Sequence, residues 1–334
     1  MTIISTVLQG TEFGKKINHR SLTMVPFRSI GGGSTTYLTL AEALEGGLAR
    51  VEEVSEGGSV PELRFNNSGS MPVLIVDGEE LVGAKQNRVA NLTILAPAKA
   101  TIKIPVSCVE AGRWRYSRED FVASKRVHFA TGRAARTRSV SESLTCDRGR
   151  VSDQRQVWQD ISAKASRMSV ASPTGAMAAI FENHAEGVEE YVRAFAADGE
   201  HSGAVFAIGG EVVGLDFFGE PATFRAMLPK LVRSYAVDAL EHTGEQAGGC
   251  GKRKARAFLD RLGEADERSY PAVGLGTDIR LTGPGVVGGA LVVEDNCVHM
   301  ASFATPEAGG GRGRERSRSS MASAQLRRRR YEGE

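Results

Sequence analysis

Short apolar runs dominate the first 116 residues, and glycine- or asparagine-containing turns separate them. Gly-Gly pairs occur at 46–47 and 57–58, and Asn-Asn-Ser-Gly occupies 66–69. Runs rich in β-branched residues between such turn signals are typical of strands. The pattern therefore predicts a β-rich segment over residues 1–116, with one short helix from Leu40 to Leu44.

From about Ser117 the pattern changes to helical spacing. Residues 117–150 are rich in Arg and Ser and weakly periodic, which indicates a long loop with partial helix. Four helices are predicted after this segment. They begin at Ser152, at Ser172-Pro173 with an apolar stripe continuing to Phe195, at Pro221, and at Lys252 with an end at Leu262. His184 falls on the second helix's apolar stripe, which favours a packed histidine over a ligand.

Three segments show a hairpin pattern, in which two apolar runs flank a turn that permits positive φ. They are Val73–Val82 turning at Asp77-Gly78, Val205–Leu215 turning at Gly209-Gly210, and Ala290–Met300 turning at Asp295-Asn296. Segregated strands and helices predict an α+β fold. It comprises a β-rich N-terminal part with antiparallel hairpins, a helical middle and an α/β C-terminal part. We expect residues 1–116 and 117–303 to pack as one body.

Residues 304–334 are predicted to form a disordered, Arg-rich tail, because they lack the apolar periodicity that would offset the entropy of ordering. From residue 307 the tail holds eight Arg and four Glu, a net charge of +4. The whole chain carries +2, so residues 1–306 carry −2. This near-neutral body argues against specific nucleic-acid binding, although the tail is expected to bind polyanions weakly.

The 334 residues, 41% of them apolar, suffice for a large core. The N-terminus lacks the pattern of a signal peptide, and no apolar run reaches the length of a membrane span. The four cysteines are spaced singly, which fits neither a disulfide framework nor a zinc site. We therefore expect a cytoplasmic protein without membrane contact.

Several common catalytic patterns are missing from the sequence. Gly31-Gly32-Gly33 is not followed by the lysine of a phosphate-binding loop, so we interpret it as a flexible turn. No histidines are paired at metal-ligand spacing, and we predict no structural metal. No Gly-x-Ser-x-Gly motif indicates a hydrolase. The sequence specifies no cofactor.

The chemistry is concentrated between Glu79 and Trp114. We predict that residues 84–95 and 101–112 form an antiparallel hairpin in which Ile94 faces Ile102. Two-residue steps then place Arg88 opposite Cys108 and Gln86 opposite Glu110, at the end of an apolar row. In line with that row, Cys108 is expected to be a buried structural thiol rather than a nucleophile.

Two interpretations of this polar end remain open. In the first, Arg88 and Glu110 form a buried salt bridge that fixes the hairpin. In the second, they form the floor of a pocket, where Lys85, Asn87 and Arg113 add donors and Trp114 adds a stacking surface. Such a pocket suits an anionic ligand, such as a phosphate or carboxylate, beside a planar ring.

Two motifs carry a resemblance to a known family. Gly78-Glu79-Glu80-Leu81-Val82-Gly83-Ala84-Lys85-Gln86-Asn87-Arg88 and Pro105-Val106-Ser107-Cys108-Val109-Glu110, with Gly112-Arg113-Trp114, resemble a family of uncharacterised bacterial proteins. Its domain is named for association with ADP-ribosylglycohydrolases and rhodanese-like phosphatases. Weaker matches are Ser152-Asp153-Gln154 with Val157-Trp158, Ser172-Pro173-Thr174 and Gly214-Leu215-Asp216-Phe217-Phe218. The resemblance covers roughly residues 1–303 and implies a role near ADP-ribose or nucleotide metabolism.

Two functional hypotheses follow. In the first, the protein binds or processes a nucleotide-like or ADP-ribose-like anionic small molecule. Lys85, Gln86, Asn87, Arg88, Arg113 and Trp114 would bind the ligand, and Glu110 or Glu80 would be the general acid or base. In the second, the protein is a non-catalytic interaction or scaffold protein, and the same polar residues form a structural network.

Overall fold

The computed structural model describes residues 2–29, 35–55, 57–196, 199–242 and 250–306. These residues form eight helices. The helices are α1 Ile3–Gln9, α2 Leu40–Glu45, α3 Ala130–Thr145, α4 Gln154–Arg167, α5 Met177–Asn183, α6 Ala185–Ala194, α7 Pro221–Glu241 and α8 Lys252–Gly263. Within the described ranges, no helix is both long and apolar enough to cross a membrane.

The same residues form eighteen strands. They are β1 Thr11–Phe13, β2 Ile17–His19, β3 Leu22–Ser29, β4 Leu38–Thr39, β5 Ala49–Glu53, β6 Glu62–Asn67, β7 Val73–Ile75, β8 Glu79–Gly83, β9 Arg88–Ala90, β10 Ile94–Ala96, β11 Ala100–Cys108, β12 Phe121–Val127, β13 Gly203–Ile208, β14 Glu211–Phe218, β15 Asp266–Pro271, β16 Thr277–Gly283, β17 Val286–Val293 and β18 Asn296–Ala304. Strands and helices together confirm the predicted α+β class.

The largest sheet combines strands from residues 11–29 with strands from residues 203–304. Its order is β1-β3-β13-β14-β18-β17-β16-β15, with β2 paired to β3, and every pairing is antiparallel. Side chains alternate between its faces. Phe206 packs toward α7, whereas its neighbour Val205 packs toward α1 and α8. Helices therefore cover the middle of this sheet on both sides.

A six-stranded antiparallel sheet, in the order β12-β8-β9-β11-β6-β5, carries the predicted site. A short third sheet has the order β10-β7-β4, with β4 parallel to β7. The main apolar cluster draws on these sheets and on the helices from α3 to α7. Phe206 and Tyr235 stack at its centre with ring centroids 4.0 Å apart. This cluster buries one face of the site-bearing sheet.

Several predicted elements are confirmed. Helices α2 and α8 agree with the predicted bounds to within a residue, and α7 begins at the predicted Pro221. Helix α4 begins after an Asp153 cap rather than at Ser152. The hairpin β13–β14 turns through Gly209 and Gly210, both at positive φ. The hairpin β17–β18 turns through Glu294 and Asp295, one residue before the predicted turn.

The predicted hairpin over Val73–Val82 is wrong. Strand β7 pairs with β10 and β4, whereas β8 pairs with β9 and β12. The tight turn does exist, because Glu79 N donates to Val76 O at 3.0 Å and Gly78 has a φ of +82°. However, Asp77 N donates to the Thr93 side chain, and the chain passes from one sheet to another instead of folding back.

Two helical predictions also need correction. Residues 117–150 contain β12 and the sixteen-residue α3, not mainly a loop. Periodicity missed α3 because its buried face includes polar residues, among them Arg133 and Arg136. The helix predicted from Ser172 begins at Met177 and is divided at His184, a half-buried residue whose Nε2 lies 3.2 Å from Met168 O.

Two expectations fall partly or wholly beyond the described ranges. Strand β18 runs to Ala304, which is the first residue of the predicted tail, and residues 307–334 lie outside the described residues. Gly31-Gly32-Gly33 also lies outside them.

Candidate functional site

The predicted strand register at the site is confirmed where β9 meets β11. Ala90 pairs with Val106, Val89 with Ser107, and Arg88 with Cys108. Asn91 N extends the same register with a 3.0 Å hydrogen bond to Pro105 O. Arg88 therefore shares a sheet face with Cys108, as strand periodicity requires.

The far end of the predicted hairpin is wrong. Ile94 pairs with Ile75 of β7, and Ile102 pairs with Phe65 of β6. The two strands separate after Asn91 because each finds another partner. The segment 84–95 with 101–112 is thus a hairpin only near the site.

Five residues come together where β9 begins and β11 ends, and we call them the Arg88 cluster: Gln86, Arg88, Cys108, Glu110 and Arg113. Arg88 is fully buried, and its Nη1 donates to Gln86 Oε1 at 2.9 Å. The Cys108 thiol donates to the same oxygen at 3.0 Å. Gln86 Nε2 in turn donates to Glu110 O at 3.0 Å. One amide therefore ties both strands together, as the predicted placement of these residues implies.

The Glu110 carboxylate does not pair with Arg88, and this predicted contact is wrong. Instead it accepts from Arg113 Nε at 2.8 Å, Thr174 Oγ1 at 2.9 Å and Asn87 N at 3.3 Å. Arg113, three residues later in the sequence, forms an ion pair with this carboxylate. Glu110 also forms an isolated bridge to Ala176, which holds the 172–176 turn against the site. The carboxylate is anchored on several sides.

Arg113 also fixes the loop between β8 and β9. Its Nη1 donates to Ala84 O at 2.7 Å, and its Nη2 donates to Asn87 Oδ1 at 2.9 Å. Ala84 has a φ of +37°, a left-handed conformation that costs energy for an alanine. The guanidinium thus stabilises a strained turn and orients Asn87.

Arg88 retains unused hydrogen-bonding capacity. Among the described residues, its Nε and Nη2 have no partner. Both oxygens of the neighbouring buried Glu53 are likewise unpartnered there. Burial lowers the pKa of Arg88, and the charge of Glu53 opposes that lowering. The cluster therefore presents a guanidinium and a carboxylate that do not satisfy each other.

Two aromatic rings lie near Arg88 and Lys85. The Arg88 guanidinium carbon lies 5.7 Å from the Trp114 ring centroid. Lys85 Nζ lies 5.4 Å from Trp114 and 5.3 Å from Tyr116, and it donates to Gly57 O. The two rings are 48% and 52% exposed. Trp114 thus borders the Arg88 cluster, as predicted, and is about half exposed to solvent.

Glu80 lies apart from this cluster. It pairs with Val89, whereas its neighbour Leu81 pairs with Arg88, so Glu80 faces the opposite side of the sheet. Burial raises the pKa of Glu80, and Arg126, whose Nε lies 2.6 Å away, opposes that rise. The two carboxylates predicted as acid or base therefore do not share one site.

Cys108 is buried, as predicted. Burial raises its pKa, although the charge of Arg88 opposes the rise. Gln154 holds the Cys108 backbone from both sides, accepting from its N at 2.7 Å and donating to its O at 2.8 Å. This pairing docks α4 onto the end of β11.

A groove of about 890 Å³ runs beside the cluster, between α4 and the 170–176 segment. Ala111, which follows Glu110, forms one wall, and Trp158 and Arg155 of α4 form another. The groove is of ligand size, and Ala111, Gly175 and Ala176 form the part of its lining nearest in sequence or pairing to Glu110.

The structure reveals a second polar assembly, the buried charge network of Asp77, Arg133, Arg136, Asp216 and His299. Arg133 bridges two carboxylates, with Nε 3.1 Å from Asp77 Oδ2 and Nη2 2.6 Å from Asp216 Oδ1. Arg136 Nη2 lies 2.5 Å from Asp77 Oδ1. Burial disfavours the ionised Asp216, but Arg133 and His299 outweigh it and hold its pKa below the ordinary value.

The sequence held weak signals for this network. Arg133 and Arg136 are three residues apart, the spacing of one helix face. Asp216 stands in the Gly214–Phe218 motif, and Asp77 was interpreted only as a turn residue. Their proximity depends on tertiary structure. In the described part of the chain, no three His, Cys, Asp or Glu side chains are grouped to hold a metal.

Comparison with known proteins gives one match. A family model described as the ARG and Rhodanese-Phosphatase-superfamily-associated Protein domain (ARPP-1) matches residues 10–303. No curated protein and no solved structure matches the chain. The match covers both motifs of the Arg88 cluster and confirms the resemblance seen in the sequence. The chain belongs to the ARPP-1 domain family.

Proposed function

We propose that the protein binds a nucleotide-like or ADP-ribose-like anionic small molecule at the Arg88 cluster. The observation that carries this proposal is the state of Arg88, which is fully buried while two of its guanidinium nitrogens have no partner among the described residues. Leaving a buried donor unsatisfied costs about 1–3 kcal/mol, and more for a charged group. A ligand that accepts from Arg88 would recover this free energy.

This observation favours ligand binding over a scaffold role. A polar network selected only for stability would satisfy its own buried groups. Glu110, Arg113 and Gln86 follow that rule, since each makes at least two hydrogen bonds to other residues of the chain. Arg88 and Glu53 depart from it. We therefore propose that the hydrogen-bonded residues Glu110, Arg113 and Gln86 hold Arg88 and Glu53 in position for the ligand.

The proposed ligand follows from the chemistry around Arg88. Guanidinium donors fit an oxyanion of a phosphate or carboxylate. The Glu53 carboxylate accepts from hydroxyl or amino groups, and the exposed Trp114 ring offers a stacking face. A Cβ placed on Gly58 would lie 3.3 Å from Glu53, Lys85 and Trp114 alike, so these side chains surround one point. A nucleotide combines an oxyanion, hydroxyls and a planar ring.

We assign Glu110 a positioning role in this proposal. Its three acceptor contacts hold Arg113, Asn87 and the 172–176 turn in place. Glu80 lies on the opposite face of the sheet and is not part of the proposed ligand site. The proposal is therefore one of binding, and it specifies no reaction.

Trp114 provides a direct test. The chain has two tryptophans, so Trp158→Phe leaves Trp114 as the sole indole fluorophore. In that background, ADP-ribose, AMP and ADP are titrated while emission and Tm are recorded. We expect one of them to change Trp114 emission and to raise Tm, because at one hundred times its Kd a ligand adds about 2.7 kcal/mol to the free energy of unfolding.

Two variants and a matched control complete the experiment. Arg88→Lys keeps the charge but loses the planar fork, and Trp114→Ala, read by Tm in the otherwise unaltered chain, removes the ring. Both should abolish the ligand-induced stabilisation. Arg50→Lys, at an exposed arginine of the same sheet, should retain it. If no member of the panel stabilises the protein, or if Arg88→Lys responds normally, the proposal fails.

A further inference from the structure

A separate cleft of about 390 Å³ lies between α3 and the strands β15, β16 and β17. This volume falls within the range of small-molecule sites. Helix α3 contributes Arg138, Ser141, Glu142 and Thr145 to its lining, and Cys146, which caps the helix, follows them. The sheet contributes a wall of mixed polarity that includes Arg268, Tyr270, Arg280, Thr282 and Val287. None of these residues belongs to the Arg88 cluster.

Arg280 forms the buried part of the cleft. It is 5% exposed, and its Nη2 lies 2.6 Å from Asp278 Oδ1. Its Nε has no hydrogen-bond partner among the described residues. Gly289 lies opposite on β17, and a Cβ there would come 2.9 Å from Arg280 Nη1. The glycine therefore leaves room for a guanidinium that keeps one donor unused.

A small cavity continues behind Arg280. Its volume of about 10 Å³ is close to the lower limit for a single water molecule. Asp77, Thr93 and Asp278 line it together with Arg280. Arg280 thus stands between the open cleft and the buried charge network.

Positive charge and hydroxyl groups line the cleft together. Arg268 is the cross-strand partner of Arg280, so both side chains stand on one sheet face. Arg138 approaches from α3. Ser141, Thr145 and Thr282 provide hydroxyl oxygens, and the first two donate their protons to the backbone carbonyls of Thr137 and Ser141. Arg268 Nη1 donates to Thr145 Oγ1 at 3.3 Å. Glu142 and Asp266 provide carboxylate acceptors. Adjacent guanidinium groups favour a phosphate oxyanion, and the remaining groups suit ligand hydroxyls.

We propose that this cleft is a second binding site, for a hydroxyl-rich small molecule that carries a phosphate group, such as a sugar phosphate. Arg280 and Arg268 bind the phosphate, and the hydroxyl and carboxylate side chains of α3, β15 and β16 bind the hydroxyl groups. The site is independent of the Arg88 cluster, which lies on the six-stranded sheet.

Cys146 reports occupancy of the cleft. It lines the cleft and is exposed, whereas the other three cysteines are buried. Burial raises the pKa of Cys108 and Cys250, and raises that of Cys297 to about 12. In the native full-length protein, iodoacetamide should therefore react first at Cys146, and mass spectrometry gives the rate.

Ribose 5-phosphate, glucose 6-phosphate and glycerol 3-phosphate are the probes, and ribose is the control. We expect at least one phosphorylated probe to slow alkylation of Cys146 about tenfold at about ten times its Kd, because the free fraction then falls to about one tenth. Ribose should give no slowing. Arg280→Gln should abolish the effect.

A second variant covers the case in which Arg280→Gln does not fold. Arg138→Gln changes an exposed residue of the same cleft and should weaken protection by about tenfold in Kd, the loss of one charged contact. Arg261→Gln, at an exposed arginine of α8, is the matched control and should protect normally. Failure of every phosphorylated probe to slow alkylation overturns the proposal. Protection that persists equally in Arg280→Gln and Arg138→Gln overturns it as well.

Discussion

Replacing Arg133 by methionine tests whether the buried charge network stabilises the fold. Arg133 is fully buried and contacts both Asp77 and Asp216. Methionine keeps an unbranched apolar side chain but removes the charge and every donor. Two carboxylates in the protein interior would lose their shared partner, which is a strongly unfavourable change.

The magnitude can be worked from the remaining contacts. Breaking a buried ion pair by removing one partner costs about 3–5 kcal/mol. Asp77 keeps Arg136 at 2.5 Å, and Asp216 keeps the Tyr235 hydroxyl at 3.0 Å, so we expect about 3–4 kcal/mol. With an unfolding entropy of about 2.1 cal/mol/K per residue over roughly 300 residues, this lowers Tm by about 5–6 °C.

Urea unfolding and thermal melting of Arg133→Met measure this loss. Arg138→Met is the matched control, because Arg138 lies on the same helix but is exposed, and it should change the free energy of unfolding by less than about 0.5 kcal/mol. The double variant Arg133→Met with Asp216→Asn removes a positive and a negative charge together. It should be destabilised by less than the sum of the single variants.

The destabilisation caused by Arg133→Met should also depend on pH. Interactions with Arg133 and Arg136 hold the pKa values of Asp216 and Asp77 below the ordinary aspartate value. Their stabilisation is therefore complete above the unfolded pKa of about 3.9 and is lost as the pH falls toward the folded values. The difference in free energy of unfolding between wild type and Arg133→Met should therefore become smaller as the pH falls through that range. A difference below about 1 kcal/mol at neutral pH, or one that widens in acid, would refute this account.

Three further outcomes are expected. Truncation after Thr305 should leave Tm unchanged, because the removed residues lack apolar periodicity, and a drop of many degrees would show that the tail docks on the body. Cys108 should resist thiol reagents in the native protein, since it is buried and burial raises its pKa, and rapid labelling there would contradict a structural role. Gly83→Ala should destabilise the protein by about 1–3 kcal/mol in urea melts, because φ is +145° and a Cβ would collide with Asp120 O; an unchanged midpoint would be the contrary result.

Much of the site could be predicted from the sequence. The two-residue period of strands placed Arg88 beside Cys108 and brought Gln86 close to Glu110. The aromatic neighbour Trp114 was also located correctly. Strand periodicity did not predict which charged side chains form ion pairs. Glu110 binds Arg113, and Arg88 binds Gln86, because loop conformation rather than strand register directs these side chains.

The amino-acid sequence by itself determined the features that depend on neighbouring residues: the helices α2, α7 and α8, the hairpins β13–β14 and β17–β18, and the family. Only the tertiary structure decided where polar residues could be buried. Arg133 sits on a helix with little apolar periodicity, and it is stable inside because Asp77 and Asp216, distant in sequence, neutralise it. Hydrophobic periodicity predicts which apolar residues are buried. It does not predict a buried charge, because that charge is stabilised by partners that are distant in sequence.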